Sequence, residues 1–362
     1  MELTKRVDIN LGYTCNIKCK FCYYQEKVKT GKGCDLTTDE AKHWLKYFRN
    51  HGMEAIDLTG GEPTIRKDII ELIKYCKEIG YKTICVITNG LTMAHKDFTD
   101  KMVDAGLNDV LFSLHGHDAK THDSMTCVKG TYDKLLKAME NTRGTGVNMR
   151  SNTVVNGVSY KNLHVTTKIL YDYGFQTMNF ILFNPIVEAM DSQEDMSIRY
   201  SDAAPYVMKV IDDYKDKVKK MTVRYMPFCL MPGYEQYITN TPQIQYDPDE
   251  WDYILRTRFR NGWFMCTGAL WLGFLIHPSK KRLLEIDWNR KKHEALKWTL
   301  AWKNKIKGKQ CSLCAYDKIC DGLWRDYAKK TGFDELKNVS GEKLIDPAHF
   351  MKTQKTVDKM IG

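Results

Sequence analysis

The chain has 362 residues, of which 43% are hydrophobic and 28% are charged, a composition typical of a globular protein. With only 9 prolines and 24 glycines, it lacks the bias of a collagen-like fibre or of a long disordered tract. Its formal net charge of +10 favours an acidic partner or substrate.

No segment of the sequence has the pattern of a membrane span or a signal peptide. The longest weakly polar run, residues 263–276, is shorter than the roughly 20 residues that cross a bilayer. Charged residues also occupy the N-terminal positions at which a signal peptide is apolar. We therefore predict a cytoplasmic protein without membrane contact.

Short apolar runs alternate with amphipathic segments of helical length over the first 220 residues, a pattern that predicts repeated βα units. Parallel strands joined by helices favour an α/β fold with a partial (β/α)6 barrel, in which the chemistry lies where the strands end. The predicted strands are 6–11, 55–58, 83–88, 109–114, 147–155 and 177–183. The predicted helices are 38–50, 68–79, 96–105, 132–143, 162–173 and 201–220.

The second part of the chain has a different composition. A stretch rich in proline, tyrosine and glutamine follows the last predicted helix, and from residue 262 the sequence is rich in tryptophan, lysine and cysteine. We therefore predict three regions, which are a barrel at 1–222, a connector at 223–260 and a small domain at 261–362.

The twelve cysteines are unevenly placed. In a reducing compartment, clustered cysteines are better candidates for metal ligands or catalytic thiolates than for disulfides. Isolated cysteines are most often small buried hydrophobic residues. We predict that packing role for the four cysteines that stand singly in the first half, namely Cys34, Cys76, Cys85 and Cys127.

The first cysteine group follows the first predicted strand directly. Cys15, Cys19 and Cys22 form the pattern CxxxCxxC, which allows three thiolates to converge on one metal centre. Neither a fourth nearby ligand, as structural zinc requires, nor the spacing of a bacterial ferredoxin is present. Three protein ligands on a four-iron cluster would leave one iron open, which is the condition for catalysis at a metal centre.

With Phe21 before its last cysteine, this pattern resembles the motif of the radical S-adenosylmethionine (radical SAM) superfamily. The resemblance implies that the three cysteines hold a [4Fe–4S] cluster whose open iron binds S-adenosylmethionine. Reductive cleavage then gives a 5′-deoxyadenosyl radical, which abstracts a hydrogen atom from the substrate. It also implies an adenine contact at the backbone of Phe21, and a reductant such as flavodoxin or ferredoxin.

The segment after the second predicted strand resembles the GGEP motif of the same superfamily. Gly60 and Gly61 let the backbone approach a ligand closely, and Glu62 offers a carboxylate to a cationic amino group. Taken alone, this tetrapeptide would be an ordinary turn. One βα unit after the cysteines, it is a candidate contact for the amino group of S-adenosylmethionine.

Polar residues also follow later strands. They resemble positions that the superfamily uses for the ribose and carboxylate of the cofactor, although they could equally be turn and cap residues. The candidates are Asn89, Ser113 and Asn152, with Arg150 as a partner for the carboxylate. His115 and His117 flank a glycine, and His115 is the candidate acid or base toward substrate, or otherwise a surface residue.

The second cysteine group lies near the C-terminus, where Cys311, Cys314 and Cys320 form CxxCxxxxxC. Cys266 is the predicted fourth ligand, and Cys229 in the connector is an alternative. Four thiolates complete a four-iron cluster or a zinc site, and the spacing does not separate the two.

This second pattern resembles the SPASM and Twitch extensions of radical SAM enzymes, which carry auxiliary clusters. The full SPASM pattern has another cysteine three residues beyond the trio, a place that Trp324 occupies here. The resemblance therefore implies a single auxiliary [4Fe–4S] cluster and two clusters in total.

Residues 280–309 contain eleven lysines and arginines and three acidic residues, together with Trp288, Trp298 and Trp302. Such a stretch could bind phosphates and stack bases, or could be a solvated helix face. We predict a radical SAM isomerase or oxidoreductase with a modified nucleobase or nucleic acid as substrate. The alternatives are a peptide or small-metabolite enzyme and, more remotely, a zinc-stabilised nucleic-acid-binding protein.

Overall fold

The computed structural model describes residues 4–24, 34–185, 194–249, 271–272, 275 and 304–353. By its contacts the chain divides into two compact units, one built on Lys5–Arg224 and the other on Tyr225–Gln354. We call them the barrel unit and the C-terminal unit.

The barrel unit alternates strands and helices. Its strands are β1 (Arg6–Asn10), β2 (Ala55–Thr59), β3 (Thr83–Thr88), β4 (Asp109–Ser113), β5 (Asn148–Val155), β6 (Thr177–Leu182) and β7 (Lys220–Arg224). Its helices are α1 (Thr38–Asn50), α2 (Ile69–Glu78), α3 (Lys96–Ala105), α4 (Ala119–Thr126), α5 (Thr131–Thr142), α6 (Leu163–Asp172) and α7 (Tyr200–Tyr214). Short 3₁₀ turns occur at Pro63–Ile65 and Tyr160–Asn162.

Local sequence signals explain where these helices begin and end. The hydroxyl of Thr37 accepts from the backbone N–H of Glu40, whose carboxylate accepts from the N–H of Thr37, so α1 starts in a capping box. Helix α3 ends at Gly106, whose φ of +117° lies in the left-handed region that favours glycine.

The seven strands pair in chain order, and every neighbouring pair is parallel. Ile9 of β1 is in register with Leu58 of β2, and Leu58 with Val86 of β3, so an apolar row crosses the sheet. All three side chains are buried. The predicted α/β fold with a partial barrel of parallel strands is confirmed, and β7 adds a strand to the six that we predicted.

The predicted helix 201–220 is wrong in its second half. Helix α7 stops at Tyr214, and β7 starts at Lys220 and pairs with β6. A charged run separates the two elements, after which β-branched Thr222 and Val223 favour an extended chain. Helix α4 was not predicted, because its eight residues carry too few apolar positions to show a helical period.

Two arginines and two aspartates form a buried ion-pair network across β1, β2, β4 and β5. Arg6 lies 2.5 Å from Asp57 and 3.2 Å from Asp109, and Arg150 lies 3.2 Å from Asp57 and 3.0 Å from Asp109. Burial alone would raise the pKa of Asp57, but the charges of Arg6 and Arg150 outweigh it and lower that pKa. The network therefore depends on all four charges being present together.

The C-terminal unit consists of short elements. They are β8 (Ile238–Thr239), α8 (Thr241–Ile244), β9 (Lys305–Ile306), β10 (Leu323–Trp324) and α9 (Arg325–Thr331), with 3₁₀ turns at Phe228–Leu230, Glu235–Tyr237, Lys309–Leu313 and Met351–Thr353. Strands β9 and β10 pair antiparallel. In the described part of the chain, no helix combines the length and the apolar character that a membrane crossing requires.

Candidate active site

A cavity of about 510 Å³ lies in the barrel unit, where the strands end. Its wall combines the first cysteine group with polar residues that lie after β2 and β3, at the end of β4 and within β5. From the predicted site it includes Cys15, Cys19, Phe21, Cys22, Gly60, Gly61, Glu62, Asn89, Ser113, His115 and Asn152. The sequence-predicted residues around the first cysteine group, apart from Arg150, thus share one cavity.

The cysteine loop is held against the turn after β2 by backbone hydrogen bonds. The N–H of Gly61 donates to the carbonyl of Gly12, and the N–H of Glu62 donates to the carbonyl of Thr14, both at 2.9 Å. A Cβ on Gly61 would lie 2.1 Å from the carbonyl oxygen of Thr14. We predicted that the two glycines let a ligand approach the backbone. In the structure they let the backbone of the cysteine loop approach instead.

The other side of the cysteine loop contacts the end of α4. The N–H groups of Lys18 and Lys20 donate to the carbonyls of Thr126 and Met125 at 3.0 and 2.9 Å. The last carbonyls of a helix have no partner within the helix, so these bonds satisfy α4 and position the loop together. The loop between Cys15 and Cys22 is therefore fixed from two sides.

Glu62 is buried and fully oriented by donors from neighbouring segments. One carboxylate oxygen accepts from the N–H and hydroxyl of Thr64 and from the hydroxyl of Thr88, at 2.6–3.0 Å. The other accepts from the N–H of Asn89 at 2.7 Å. Burial raises the pKa of Glu62, and these hydrogen bonds offset part of that rise. A buried carboxylate held this way is suited to a cationic group in the cavity.

The three cysteines of the first group line the cavity together, and all three are half-buried. A set of three thiolates fits a four-iron cluster with one open iron. Among the described residues, the one group that brings three ligand atoms within 4.8 Å of one another is Asp57, Cys85 and Asp109, and the arginine network already holds it.

His115 and His122 form a neutral pair in the cavity wall. Their rings are parallel, with centroids 5.8 Å apart, and the edge of Phe21 packs on His115 at 4.5 Å. Burial lowers the pKa of His115 well below its usual value and that of His122 to about 4. The N–H of Val154 donates to Nδ1 of His115 at 3.2 Å, so the neutral ring carries its proton on Nε2.

His122, which lies on α4, was not predicted as a site residue. Because α4 was not predicted, the sequence did not show that this histidine would face the cavity. His117, in contrast, is not among the residues that line the cavity, and its Nε2 lies 3.4 Å from Asp118.

The remaining predicted contacts have defined neighbours. The side-chain N–H of Asn89 donates to Asn16 at 2.7 Å, and Asn152 accepts from Asn179 at 3.1 Å. Arg150 is not among the cavity residues, because its guanidinium is bonded to Asp57 and Asp109 in the core. We therefore do not carry Arg150 into the proposed cofactor site.

Four cysteines of the C-terminal unit line one small pocket, namely Cys229, Cys311, Cys314 and Cys320. The N–H of Lys337 donates to the sulfur of Cys229 at 3.5 Å, and the N–H of Gly322 to that of Cys320 at 3.4 Å. Cys266, the predicted fourth ligand, lies outside the described residues.

Of the four cysteines predicted to pack, Cys76 and Cys85 are buried as expected. Cys34 and Cys127 are exposed, so the prediction is wrong for these two. A cysteine that stands alone in the sequence can lie in a buried element or in an exposed loop, and its isolation does not show which. Cys34 precedes α1, and Cys127 ends α4 in a left-handed backbone conformation with φ of +57°.

Comparisons with known proteins find a family match within the barrel unit. The family described as the Radical SAM superfamily matches residues 9–168. A probable GTP 3′,8-cyclase of Saccharolobus islandicus is 28% identical over 179 residues, which make up 49% of this chain and 56% of the cyclase. An AdoMet-dependent heme synthase of Nitratidesulfovibrio vulgaris is 24% identical over 327 residues, covering 85% of this chain and 84% of the synthase.

Solved structures extend the likeness in fold. Streptococcus suis SuiB aligns with a TM-score of 0.55 at 17% identity, over 95% of this chain and 78% of SuiB. Methylornithine synthase aligns with a TM-score of 0.51 at 17% identity, over 72% of this chain and 81% of the synthase. The match to the cyclase spans little more than half of that relative's length. Residues 9–168 of this chain thus match the radical SAM superfamily, and that match implies a [4Fe–4S] cluster and S-adenosylmethionine as cofactors.

Proposed function

We propose that this protein is an enzyme that cleaves S-adenosylmethionine reductively and abstracts a hydrogen atom from its substrate. The observation that carries the proposal is the meeting of Cys15, Cys19, Cys22 and Glu62 in one cavity of the barrel unit. When bound, the cluster and S-adenosylmethionine supply an electron and a 5′-deoxyadenosyl radical. The residues of this chain hold both groups and restrict where the hydrogen abstraction can occur.

The three cysteines would hold the cluster, and the loop contacts support that role. The carbonyls of Thr14, Met125 and Thr126 fix the backbone on both sides of the cysteines. The N–H of Tyr24 donates to the sulfur of Cys22 at 3.4 Å. Hydrogen bonds to thiolate sulfurs influence the reduction potential of a cluster, so this N–H is a tuning contact.

The cavity wall offers complementary contacts to S-adenosylmethionine. Glu62 would accept from the amino group, because its carboxylate is aimed by four donors. Phe21 is the proposed adenine contact, and Asn89, Ser113 and Asn152 are proposed for the ribose and carboxylate. His115 is neutral with its proton on Nε2, which suits a hydrogen-bond donor in the cavity rather than a general acid.

We also propose an auxiliary [4Fe–4S] cluster held by Cys229, Cys311, Cys314 and Cys320. Their common pocket supports Cys229 as the fourth ligand, and Cys266, which lies outside the described residues, stays the alternative. The place of a further SPASM cysteine holds Trp324 instead, whose ring lies 4.0 Å from the ammonium of Lys305. Tryptophan is not a ligand of iron–sulfur clusters, so this position supports a single auxiliary cluster.

An auxiliary cluster could take an electron from a substrate radical, which gives a net oxidation. It could instead bind substrate, or stay redox-neutral in an isomerisation. The relatives include a protein named for GTP and one named for heme synthesis, so a nucleotide and a small metabolite are both proposed substrate classes. The predicted nucleic-acid contact depends on the basic stretch 280–309, of which residues 280–303 lie outside the described residues.

Anaerobic purification with iron, sulfide and zinc analysis tests the cofactor proposal. Two four-iron clusters predict about eight irons per chain. About four irons would remove the auxiliary cluster, and zinc without iron would overturn the enzyme proposal. Cys19→Ala should lose the irons of the first cluster and keep those of the second, whereas Cys76→Ala, at a buried packing position, should keep both.

A further inference from the structure

The C-terminal unit carries a basic face beside its four cysteines. The ammonium groups of Lys307, Lys318 and Lys343 all lie within 3.2–3.5 Å of the carboxylate of Asp317. Three cations around one anion leave a local charge of +2, and the side chains of the three lysines are 35%, 51% and 43% exposed. We call these three lysines the lysine face.

An exposed apolar residue lies next to the lysine face. Leu313 is 74% exposed and occupies the turn between Cys311 and Cys314. The ammonium of Lys343 donates to the carbonyl of Ser312 at 2.6 Å, which brings a lysine to the residue before Leu313. A small apolar centre with a charged rim is typical of protein–protein contact surfaces.

One lysine of the lysine face, Lys307, lines the pocket of the cysteines. Lys307, Asp317 and Lys337 line it together with Cys229, Cys311, Cys314 and Cys320. An acidic neighbour, Glu235, accepts from the hydroxyl of Tyr316 at 3.2 Å. Lys337 adds a further exposed cation on this side of the pocket. A partner seated on Leu313 would therefore lie directly over the second cysteine group.

We propose that the lysine face and Leu313 form the docking surface for an acidic electron-carrier protein that exchanges single electrons with the auxiliary cluster. The assignment rests on the proposed function in taking Cys229, Cys311, Cys314 and Cys320 as cluster ligands. Charge complementarity selects an acidic partner, because cations gathered around one carboxylate attract negative charge. The apolar centre is aliphatic, whereas a nucleic acid would stack on exposed aromatic rings.

The transfer balances with one electron and no proton. A reduced flavin hydroquinone or reduced iron–sulfur centre in the carrier loses one electron, and the oxidised auxiliary cluster gains it. Surfaces for such exchange are small and transient, so steering by charge sets the rate of encounter more than a large buried area does.

Stopped-flow reduction of the anaerobic two-cluster protein by flavodoxin hydroquinone tests the proposal. The wild-type rate constant should fall as ionic strength rises, since added salt screens the attraction. Replacing two lysines of the face together, Lys318→Gln and Lys343→Gln, should lower the rate at low salt about tenfold. Leu313→Glu should lower it as well, through the apolar centre and the added negative charge.

A matched control removes two exposed, ion-paired lysines of the barrel unit, Lys168→Gln and Lys209→Gln. This control has the same net charge and should keep the wild-type rate within about twofold, because neither lysine belongs to the lysine face. Equal losses in both double variants would overturn the docking site, as would a wild-type rate that salt does not change.

Iron content separates failure of this proposal from failure of the proposed function. A protein with about eight irons whose reduction ignores the lysine face would contradict the docking surface alone. A protein with about four irons would contradict the auxiliary cluster and the docking surface together. Binding of a single-stranded oligonucleotide with the same lysine dependence, and no effect on carrier reduction, would reassign the face to nucleic acid.

Discussion

The backbone N–H of Glu62 donates to the carbonyl oxygen of Thr14 at 2.9 Å, so the residue proposed to bind the cofactor is bonded to the residue before Cys15. The same turn also bonds to Gly12 through Gly61. The cysteine loop and the GGEP turn are therefore one structural unit, in which moving either segment displaces the other.

Gly61→Ala should prevent this contact from forming. The new Cβ would lie 2.1 Å from the carbonyl oxygen of Thr14, well inside van der Waals contact, so the cysteine loop must shift. We expect the variant to lose the irons of the first cluster while it keeps those of the second, measured by iron analysis and electron paramagnetic resonance. Gly174→Ala is the control, because its added Cβ meets no atom within 4 Å. Alanine strains the backbone there, since φ is +90°, but the variant should keep both clusters.

Arg150→Met should destabilise the barrel unit because it leaves Asp57 and Asp109 with one arginine between them. Removing one partner from a buried ion pair costs about 3–5 kcal/mol. Urea unfolding followed by circular dichroism measures the change in free energy. Lys168→Met, which removes an exposed pair within α6, should cost less than about 0.5 kcal/mol. A similar loss in both variants would contradict the role of the network.

His122 should make stability depend on pH below neutrality. Its pKa falls from an ordinary value of 6.5 to about 4 in the folded protein, because burial disfavours the charged ring. The contribution of His122 to the free energy of unfolding is fully present above pH 6.5. It is lost as the pH falls from 6.5 toward 4, because only the unfolded chain binds the proton in that window.

His122→Gln removes this titration and keeps a side-chain N–H donor. The difference in unfolding free energy between wild type and variant should therefore change by up to about 1.4 kcal/mol per pH unit within that window. Urea unfolding at several pH values measures it. A difference that stays constant with pH would show that His122 is not buried as described.

Cys229→Ala should remove the second cluster and leave the first. Cys229 lines the pocket of Cys311, Cys314 and Cys320, so its loss leaves three ligands there. Iron analysis should fall from about eight to about four irons per chain. Cys266→Ala is the matched comparison and should keep all of them. The reverse pattern would return the fourth ligand to Cys266.

Much of the fold follows from local patterns. The six predicted strands lie within about two residues of β1–β6, because alternating apolar runs and helical periods are local signals. The seventh strand was hidden, because Lys220 and Arg224 give it a polar sequence although both side chains are buried. Burial of such residues depends on partners that only the folded sheet supplies.

The site residues that belong to a sequence motif could be predicted. Those that only long-range packing brings to their place could not. The cysteine loop and Glu62 were found from their spacing, and the cavity brings them together. Arg150 was assigned to the cofactor because its charge was visible, whereas its partners Asp57 and Asp109 lie 93 and 41 residues away in sequence. Cys229 shares a pocket with Cys311 and Cys314, which are far from it in sequence. The spacing of the cysteines does not show this arrangement, so Cys229 could be predicted only as an alternative ligand.

The most direct test of the central claim is the release of 5′-deoxyadenosine. The anaerobic, iron-loaded protein is incubated with S-adenosylmethionine and dithionite, and the product is measured by chromatography. We expect release from wild type and from Cys76→Ala, and none from Cys19→Ala. A wild-type protein that holds its irons, binds S-adenosylmethionine and still releases no 5′-deoxyadenosine would contradict the proposed function.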